Sequence, residues 1–574
     1  MQSIQIKENP VEYDVVIVGS GAGGGMATYM LGNAGLKVCL LEAGPMYDPK
    51  KDITQFKWNW ESPRRGASTD YRNNGDMDAC YGGWELEGEP YTQHPGSKFD
   101  WFRARMMGGR TNHWGRISLR FGPRDFKHRS YDGLGEDWPI SYDEIKPYYD
   151  RVDQMLGVFG TNEGLPNDPD GYFLPPPKPR LHELYIKKAA LKTGVNVIPN
   201  RLSMLTKKIN DERGVCVYCR QCYRGCQYYA DFSASSCLVI PALKNKNVEL
   251  ICNAMAREVT TNSEGLATGI SYIDKNTLQE YHVKARSVIL TASACESARL
   301  LLNSKSTQHS NGLANSSNMV GKYLHDSTGK GMRGILPALM DHPRYNEDGV
   351  GGAHVYSPWW LDNKKLDFPR GYHIEYSGGL SMPSYGFGWG IENSTGLGAK
   401  HEAGGYGSSL KQDYRRLFGA SVGMAGRGEA IARVDNFCEI DPSVVDKYGI
   451  PVLKFQYKWS DYEIKQAKHM QQTFQEILTN MGATITSGLD SAENNWGLAA
   501  PGRIIHEVGT VRMMDDSKKG PLNRNCQAHD CKNLFVADGG PFVSQADKNP
   551  TWTILALSMR AADYIIDQMK KKEI

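Results

Sequence analysis

Residues 13–19, Tyr-Asp-Val-Val-Ile-Val-Gly, form an apolar, β-branched run without alternation, the pattern of a strand covered on both faces of a parallel sheet. The next residues narrow the fold further. Gly19, Gly21 and Gly24 fall in the spacing G-x-G-x-x-G, with Ser20, Ala22 and Gly23 between them, and the chain then reads as a helix to about Gly35 and a second strand over 37–42. That order uses one glycine for the turn, one for close approach to a pyrophosphate and one for helix-on-strand packing. Glu42 ends the second strand 23 residues after Gly19, where a carboxylate accepts from ribose hydroxyls. A doubly wound α/β unit that binds a dinucleotide is the expectation.

A second constraint lies about two hundred residues on. Cys216-Val-Tyr-Cys219-Arg-Gln-Cys222-Tyr-Arg-Gly-Cys226 spaces four thiols two, two and three residues apart. Such a looping backbone turns successive thiolates toward one iron–sulfur cluster, as in a bacterial ferredoxin run, although Gln227 stands in place of the usual trailing proline. Only one run occurs, so one cluster per chain is expected, with four irons on four thiolates or three irons and one thiol spare. The alternative is a structural zinc, which normally takes two CxxC pairs across a long spacer. The other eight of the twelve cysteines are scattered singly and suit buried apolar thiols better than a disulfide framework.

At 574 residues the chain exceeds what one core organises, and two or more domains are expected, interleaved along the sequence. Its 67 basic and 64 acidic residues nearly cancel, so no field argues for nucleic acid or an anionic membrane. The sixty-one glycines fit a chain wrapped closely around a large cofactor. The segment before the first strand, MQSIQIKENPVE, has neither a basic n-region nor an apolar h-region, and no eighteen-residue apolar stretch occurs. A soluble chain without an export signal of its own is expected.

Further elements follow from periodicity and caps. Ser141 and Glu144 form a capping box before a helix that Pro147 is expected to disturb, and 286–293 is another buried strand leading into a helix over 296–303. Residues 330–455 mix short strand patterns with glycine-rich loops, notably 377–408, as an antiparallel sheet facing a substrate would. Ser460 caps an amphipathic helix stopped by Gly482, 533–538 is a buried strand and 553–570 a closing helix. From Tyr47 to about Asp100 periodicity vanishes among aromatics, including Trp58, Trp60, Tyr71 and Trp84, in a lid-like loop region.

Separated motifs then occur in a telling order: Gly19 to Gly24 with Glu42; Met107-Gly108-Gly109-Arg-Thr-Asn112-His113-Trp114-Gly115; His506-Glu-Val-Gly-Thr-Val-Arg512-Met513; Asp538-Gly539-Gly540; and Asn549-Pro-Thr551. Together they resemble the glucose-methanol-choline family of FAD oxidoreductases over almost the whole length. Gly321-Lys-Tyr-Leu-His-Asp326 and Asp547-Lys-Asn-Pro-Thr-Trp-Thr553 are similar to the large subunits of bacterial sugar dehydrogenases, the glucoside 3-dehydrogenase branch most of all. Some of that branch hold a three-iron cluster on cysteines that Cys216, Cys222 and Cys226 match; Cys219 is extra.

The resemblance implies an α/β (α+β) fold. Its Rossmann-like FAD-binding domain would comprise 1–50, 100–125, 240–330 and 505–574, interleaved with an antiparallel-sheet substrate domain at 331–504. Residues 126–239 would be an insertion carrying the cysteine loop at 216–226, and 51–99 the lid-like region. FAD would lie on Gly19, Ser20, Gly21, Ala22, Gly23, Gly24, Glu42 and Ala43, with Ala256, Ala292 and Ser293 at the adenine end. Asp538 and Gly539 would face the ribityl chain and pyrophosphate, and Thr551 would also contact the cofactor. Gly108, Gly109, Asn112, His113, Trp114 and Gly115 would follow the isoalloxazine, His113 by contact or by a covalent bond to the flavin.

The implied reaction is hydride transfer from a carbinol carbon to flavin N5, with His506 as the base and Asn549 holding the alkoxide. A histidine base works when neutral, so flavin reduction should rise with pH through a value near 6.5. Electrons would leave through the cluster to a cytochrome c or another carrier. A small chaperone-like subunit carrying an export signal would place the protein in the periplasm, the alternative being the cytoplasm. The favoured substrate is a sugar or glycoside oxidised at a secondary hydroxyl, C3 of glucosides first. A non-sugar alcohol with a merely structural metal is the competing reading.

Overall fold

The computed structural model describes residues 7–52, 55–61, 79–343, 349–379 and 407–574. Tyr71 and almost all of the glycine-rich stretch 377–408 lie outside them. The chain forms a mixed α/β fold built on two large sheets.

The first sheet has seven strands. Lys7–Val18 lies parallel to Val38–Leu41 on one side and to Glu280–Leu290 on the other, and Val248–Ile251 extends the parallel set beyond Val38–Leu41. Glu280–Leu290 is long enough to serve two further partners. Its first half pairs antiparallel with Ala267–Asp274, itself in a hairpin with Ala254–Thr261, and its last three residues pair in parallel with Leu534–Val536. Residues 15–18, 38–41 and 288–290 are wholly buried in one apolar cluster, which is why these strands are continuous in Val, Ile and Leu.

Helix Ala22–Asn33 packs on this sheet, Thr551–Lys571 packs on that helix, and Tyr142–Leu156 packs on Thr551–Lys571. The helix after Ser141 runs unbroken through Pro147, in contrast to the expected disturbance. Its capping box is formed, and its inward stripe is fixed by tertiary bonds that outweigh one lost backbone bond: Trp552 Nε1 donates to Asp153 at 2.7 Å, and Tyr149 meets the Thr553 hydroxyl at 2.6 Å.

The second sheet has six strands in the order Thr484–Ile485, Thr328–Ile335, Ser421–Gly428, Tyr372–Gly378, Val355–Ser357, Ile198–Pro199, all antiparallel. Helix Asp461–Met481 lies along one face, started by the Ser460–Glu463 box and ended by Gly482 in the left-handed region. Met470, Phe474, Ile477 and Leu478 pack there against Met332, Tyr372, Ile374, Tyr376 and Met424. Each fully buried side chain of this kind contributes about 1.5–3 kcal/mol. Period two then turns His373 and Glu375 to the opposite face, toward the first sheet.

Candidate active site

The turn after the first strand is shaped by contact. A Cβ on Gly23 would lie 2.0 Å from the Ala537 carbonyl oxygen, and one on Gly24 would lie 1.8 Å from that of Gly19, so neither position admits a side chain. Gly21 differs: nothing stands within 4 Å of its missing Cβ. Helix Ala22–Asn33 therefore begins with no side-chain cap and no acidic residue in its first turn, and its amides open onto a cavity of about 560 Å³. Glu42 holds the turn in place, accepting from Ser20 N at 3.1 Å, Ser20 Oγ at 2.5 Å and Gly44 N at 2.8 Å. Asp538 does likewise for the neighbouring turn, accepting from Ser297 Oγ, Ser293 N and Gly540 N; burial raises its pKa to about 6.

At the other end of the cavity stand His506 and Asn549. Ile505, with φ 65°, turns the chain through the left-handed region immediately before His506, a costly conformation for a β-branched residue. Asp326 secures the turn by accepting the His506 N–H at 2.9 Å and the Gly502 N–H at 2.8 Å. Burial, and the Glu507 carboxylate nearby, raise the Asp326 pKa to about 7. Glu507 is itself paired with Arg110 at 2.7 Å.

The hydrogen bonds fix the tautomer of His506. Asn549 Nδ2 lies 3.5 Å from a carboxylate oxygen of Glu375, an acceptor only, so the amide nitrogen must face it. The same nitrogen is 3.3 Å from His506 Nε2, which must therefore accept. The proton is on Nδ1, donated to Ser327 Oγ at 3.0 Å, while Gln545 Nε2 donates to that hydroxyl at 3.1 Å. Nε2 thus carries its lone pair on the cavity side. Burial first, and then Arg427, lower the His506 pKa to about 3, with Glu375 pulling the other way. The expectation of a titration near 6.5 is corrected accordingly: the imidazole is already neutral well below that pH.

Comparison with known proteins places the chain in one lineage. The N-terminal GMC oxidoreductase family model matches residues 27–328, and the C-terminal one matches residues 434–558. The chain belongs to the GMC oxidoreductase family. Among its curated relatives it is similar to 2-methyl-1,2-propanediol dehydrogenase of Mycolicibacterium austroafricanum, at 28% identity over 96% of this chain and 95% of that one. It is 26% identical to the fructose dehydrogenase large subunit of Gluconobacter japonicus (97% and 98% covered) and 24% identical to the gluconate 2-dehydrogenase flavoprotein of Pantoea cypripedii (99% and 96%). As a GMC oxidoreductase it is an FAD-dependent enzyme acting on CH–OH donors.

The cavity of this GMC oxidoreductase fits that cofactor on its own geometry. Uncapped helix N-termini open onto it at Gly21 and at Pro550, before Thr551–Lys571, where anionic groups are favoured. His113 Nε2 and Asn549 Oδ1 are buried in its wall without a hydrogen-bond partner. His113 is held neutral, its pKa lowered to about 3 by burial and by Arg116 and Arg110. Gly19, Ser20, Gly21, Ala22, Gly23, Glu42 and Ala43 line the cavity, as do Gly109, His113, Trp114, Gly115, Ala256, Ala292, Ser293, Asp538, Gly539 and Thr551. Gly24, Gly108 and Asn112 stand behind the wall: Gly108 donates its N–H to Ser20 Oγ, and Asn112 Nδ2 holds the Met107 carbonyl.

The cysteine loop adjoins the same wall through Tyr223. Tyr218 (φ 56°) and Arg220 (φ 57°) take left-handed conformations, which turn the backbone amides inward. Cys216 Sγ accepts from Tyr218 N at 3.4 Å, Cys219 Sγ accepts from Gln55 Nε2 at 3.1 Å, and backbone amides of Ala230, Asp231 and Tyr228 reach Cys226. Cys222 is buried, and Gly351 leaves room for its sulfur. No three of these sulfurs lie within 4.8 Å of one another; among the described residues that spacing is met only by Asp125, His128 and Glu429. A zinc ion with Zn–S bonds of about 2.3 Å draws its thiolates closer than that. Arg116, fully buried, donates to the Trp114, Asn112 and Cys222 carbonyls and so ties the loop to the His113 segment.

Glu375, Ser327 and Arg427 did not emerge from sequence, and Asp326 appeared there only as the end of the 321–326 motif, without a role. The signal available was the alternation Tyr372-His-Ile-Glu-Tyr376, two polar residues on one strand face, without any sign of what that face meets.

Proposed function

We propose that this GMC oxidoreductase is a dehydrogenase for a secondary hydroxyl of a sugar or glycoside, with C3 of glucosides favoured and 3-keto products formed. The observation that carries the reading is the neutral His506, its Nε2 lone pair facing the cavity beside Asn549. His506 takes the hydroxyl proton, and the Asn549 N–H that rests on Nε2 turns to the alkoxide oxygen. Ser327 keeps the tautomer, and Asp326 and Ile505 fix the depth of the ring. Bound FAD would accept the hydride at N5. The relatives named above support a polyhydroxylated substrate, since by name they act on fructose, gluconate and a 1,2-diol.

In the same reading, Cys216, Cys219, Cys222 and Cys226 hold one iron–sulfur cluster that carries electrons singly to a carrier protein. Burial raises the pKa of all four free thiols, and the N–H groups that reach Cys216, Cys219 and Cys226 oppose it, which favours sulfur that has lost its proton and supports this role. A small partner subunit and export to the periplasm belong to the same proposal, prompted by the similarity to a dehydrogenase large subunit. Among the described residues, no helix is long and apolar enough to cross a membrane.

The test is a screen of sugars, glycosides and simple alcohols with an artificial dye acceptor, followed by NMR of the product. A 3-keto glycoside is expected. A C1 lactone would move the assignment to another sugar carbon, and activity confined to choline or sterols would overturn it. Metal analysis should find three or four irons with labile sulfide per chain; zinc without iron would overturn the relay.

A further inference from the structure

Glu375 lies in the cavity wall beside the reacting position, and the transfer described above makes no use of its second oxygen. It projects from Tyr372–Gly378 on the face away from the second core, together with His373, and the ladder register sets Arg427 opposite His373. Its acceptor sites can be counted. Oε1 faces His373 Nε2 at 3.2 Å and Asn549 Nδ2 at 3.5 Å, which fills both lone pairs. Oε2 has the Arg427 guanidinium at 3.7 Å, an ion-pair distance too long for a hydrogen bond. The side chain is 14% exposed and lines the cavity, so Oε2 is open to a bound molecule.

A second acceptor without a partner stands next to it. The Asn549 amide nitrogen is committed to Glu375 and His506, which leaves Oδ1 buried with no partner. The hydroxyl being oxidised cannot satisfy either atom, since it gives its one proton to His506. A donor on the neighbouring carbon can. Glu375 is ionised, because Arg427 and His373 more than offset its burial and hold its pKa at about 2, so it only accepts. The Arg427 guanidinium disfavours an ammonium group there, and a neutral hydroxyl is the fitting donor.

We propose that Glu375 Oε2 and Asn549 Oδ1 form a binding site for a second substrate hydroxyl, on the carbon adjacent to the one oxidised, so that the enzyme selects vicinal diols over isolated alcohols. This rests on the dehydrogenase reading given above.

The test uses the flavin-loaded enzyme under anaerobic rapid mixing. The substrate that the screen identifies is compared with analogues lacking, in turn, each hydroxyl next to the oxidised carbon. Removing one of them should lower the apparent second-order rate constant of flavin reduction on the order of tenfold to a hundredfold, the worth of a hydrogen bond to a charged acceptor. In Glu375→Gln that ratio should shrink to within about threefold, with Glu375→Asp intermediate. Dissociation constants of the unreactive keto products, read from the flavin spectrum, should lose the same discrimination. A wild type indifferent to both neighbouring hydroxyls overturns the proposal, and so does a variant that slows parent and deoxy analogue equally, which would leave Glu375 a positioning residue for Asn549. A wild type reduced by no alcohol at all would instead strike the dehydrogenase reading.

Discussion

At the residue scale, the chemistry turns on which atom of His506 is free. Ser327 and Gln545 settle the tautomer before any substrate arrives, and burial with Arg427 settles the charge. His506→Ala should therefore retain FAD yet slow flavin reduction by about a hundredfold or more, the usual worth of a positioned base. Near-normal reduction in rapid mixing would remove His506 from that role. The pH dependence follows from sign. A histidine whose pKa falls from 6.5 to about 3 is deprotonated at every pH above about 4, so the limiting reduction rate should show no limb near 6.5 and stay level from about pH 5 to 8. A rise centred on 6.5 would show that the loaded site no longer disfavours the imidazolium.

At the element scale, the cysteine loop and Tyr372–Gly378 contrast in what a sequence can disclose. Four thiols at short spacing stand out because the pattern is local, whatever surrounds it. The glycine turn was legible for the same reason, as strand, turn and helix are contiguous. Glu375 was not. Period two separates two faces of a strand, but only the docking of the two sheets decides that one of them lines a cavity beside Asn549, 174 residues away. Arg116 was equally silent, since a buried arginine serving three carbonyls has no pattern of its own. If the loop is an electron exit, Cys222→Ser should leave substrate reduction of flavin largely intact in flavin-replete protein, while transfer to a one-electron carrier falls at least tenfold. Stopped-flow absorbance follows both steps, and equal losses in the two would assign the loop to bracing alone.

At the scale of the whole molecule, buried titratable groups set the acid limit. His113, His128, His325 and His506 are held at about 3, 3, 4 and 3, and His182 and His354 at about 2, burial being the first cause in each. Each binds a proton in the unfolded chain below 6.5 that the fold refuses, so stability falls as pH falls. Glu429, Asp326 and Asp538, raised to about 8, 7 and 6, act oppositely, because the fold binds their protons first. Below about 4.5 the unfolded carboxylates are protonated as well, and that opposition ends. Glu375 and Glu296, at about 2, then add to the loss. Six histidines outweigh three carboxylates, so the melting temperature should begin to fall below about pH 6.5 and drop most steeply between 4.5 and 3. A steep decline already complete at pH 6 would contradict this balance.

The first sheet also carries a timetable. Lys7–Val18 can pair early with Val38–Leu41, but its other edge waits for Glu280–Leu290, and that strand is completed only by Leu534–Val536. At the usual pace of synthesis, about 5–20 residues per second, the glycine turn emerges from the ribosome roughly half a minute to two minutes before the strand that closes its sheet, and before Asn549 exists at all. The nascent chain thus spends that interval with an apolar strand edge unpaired and no complete pocket to offer a nucleotide. Cofactor capture is consequently a post-translational event.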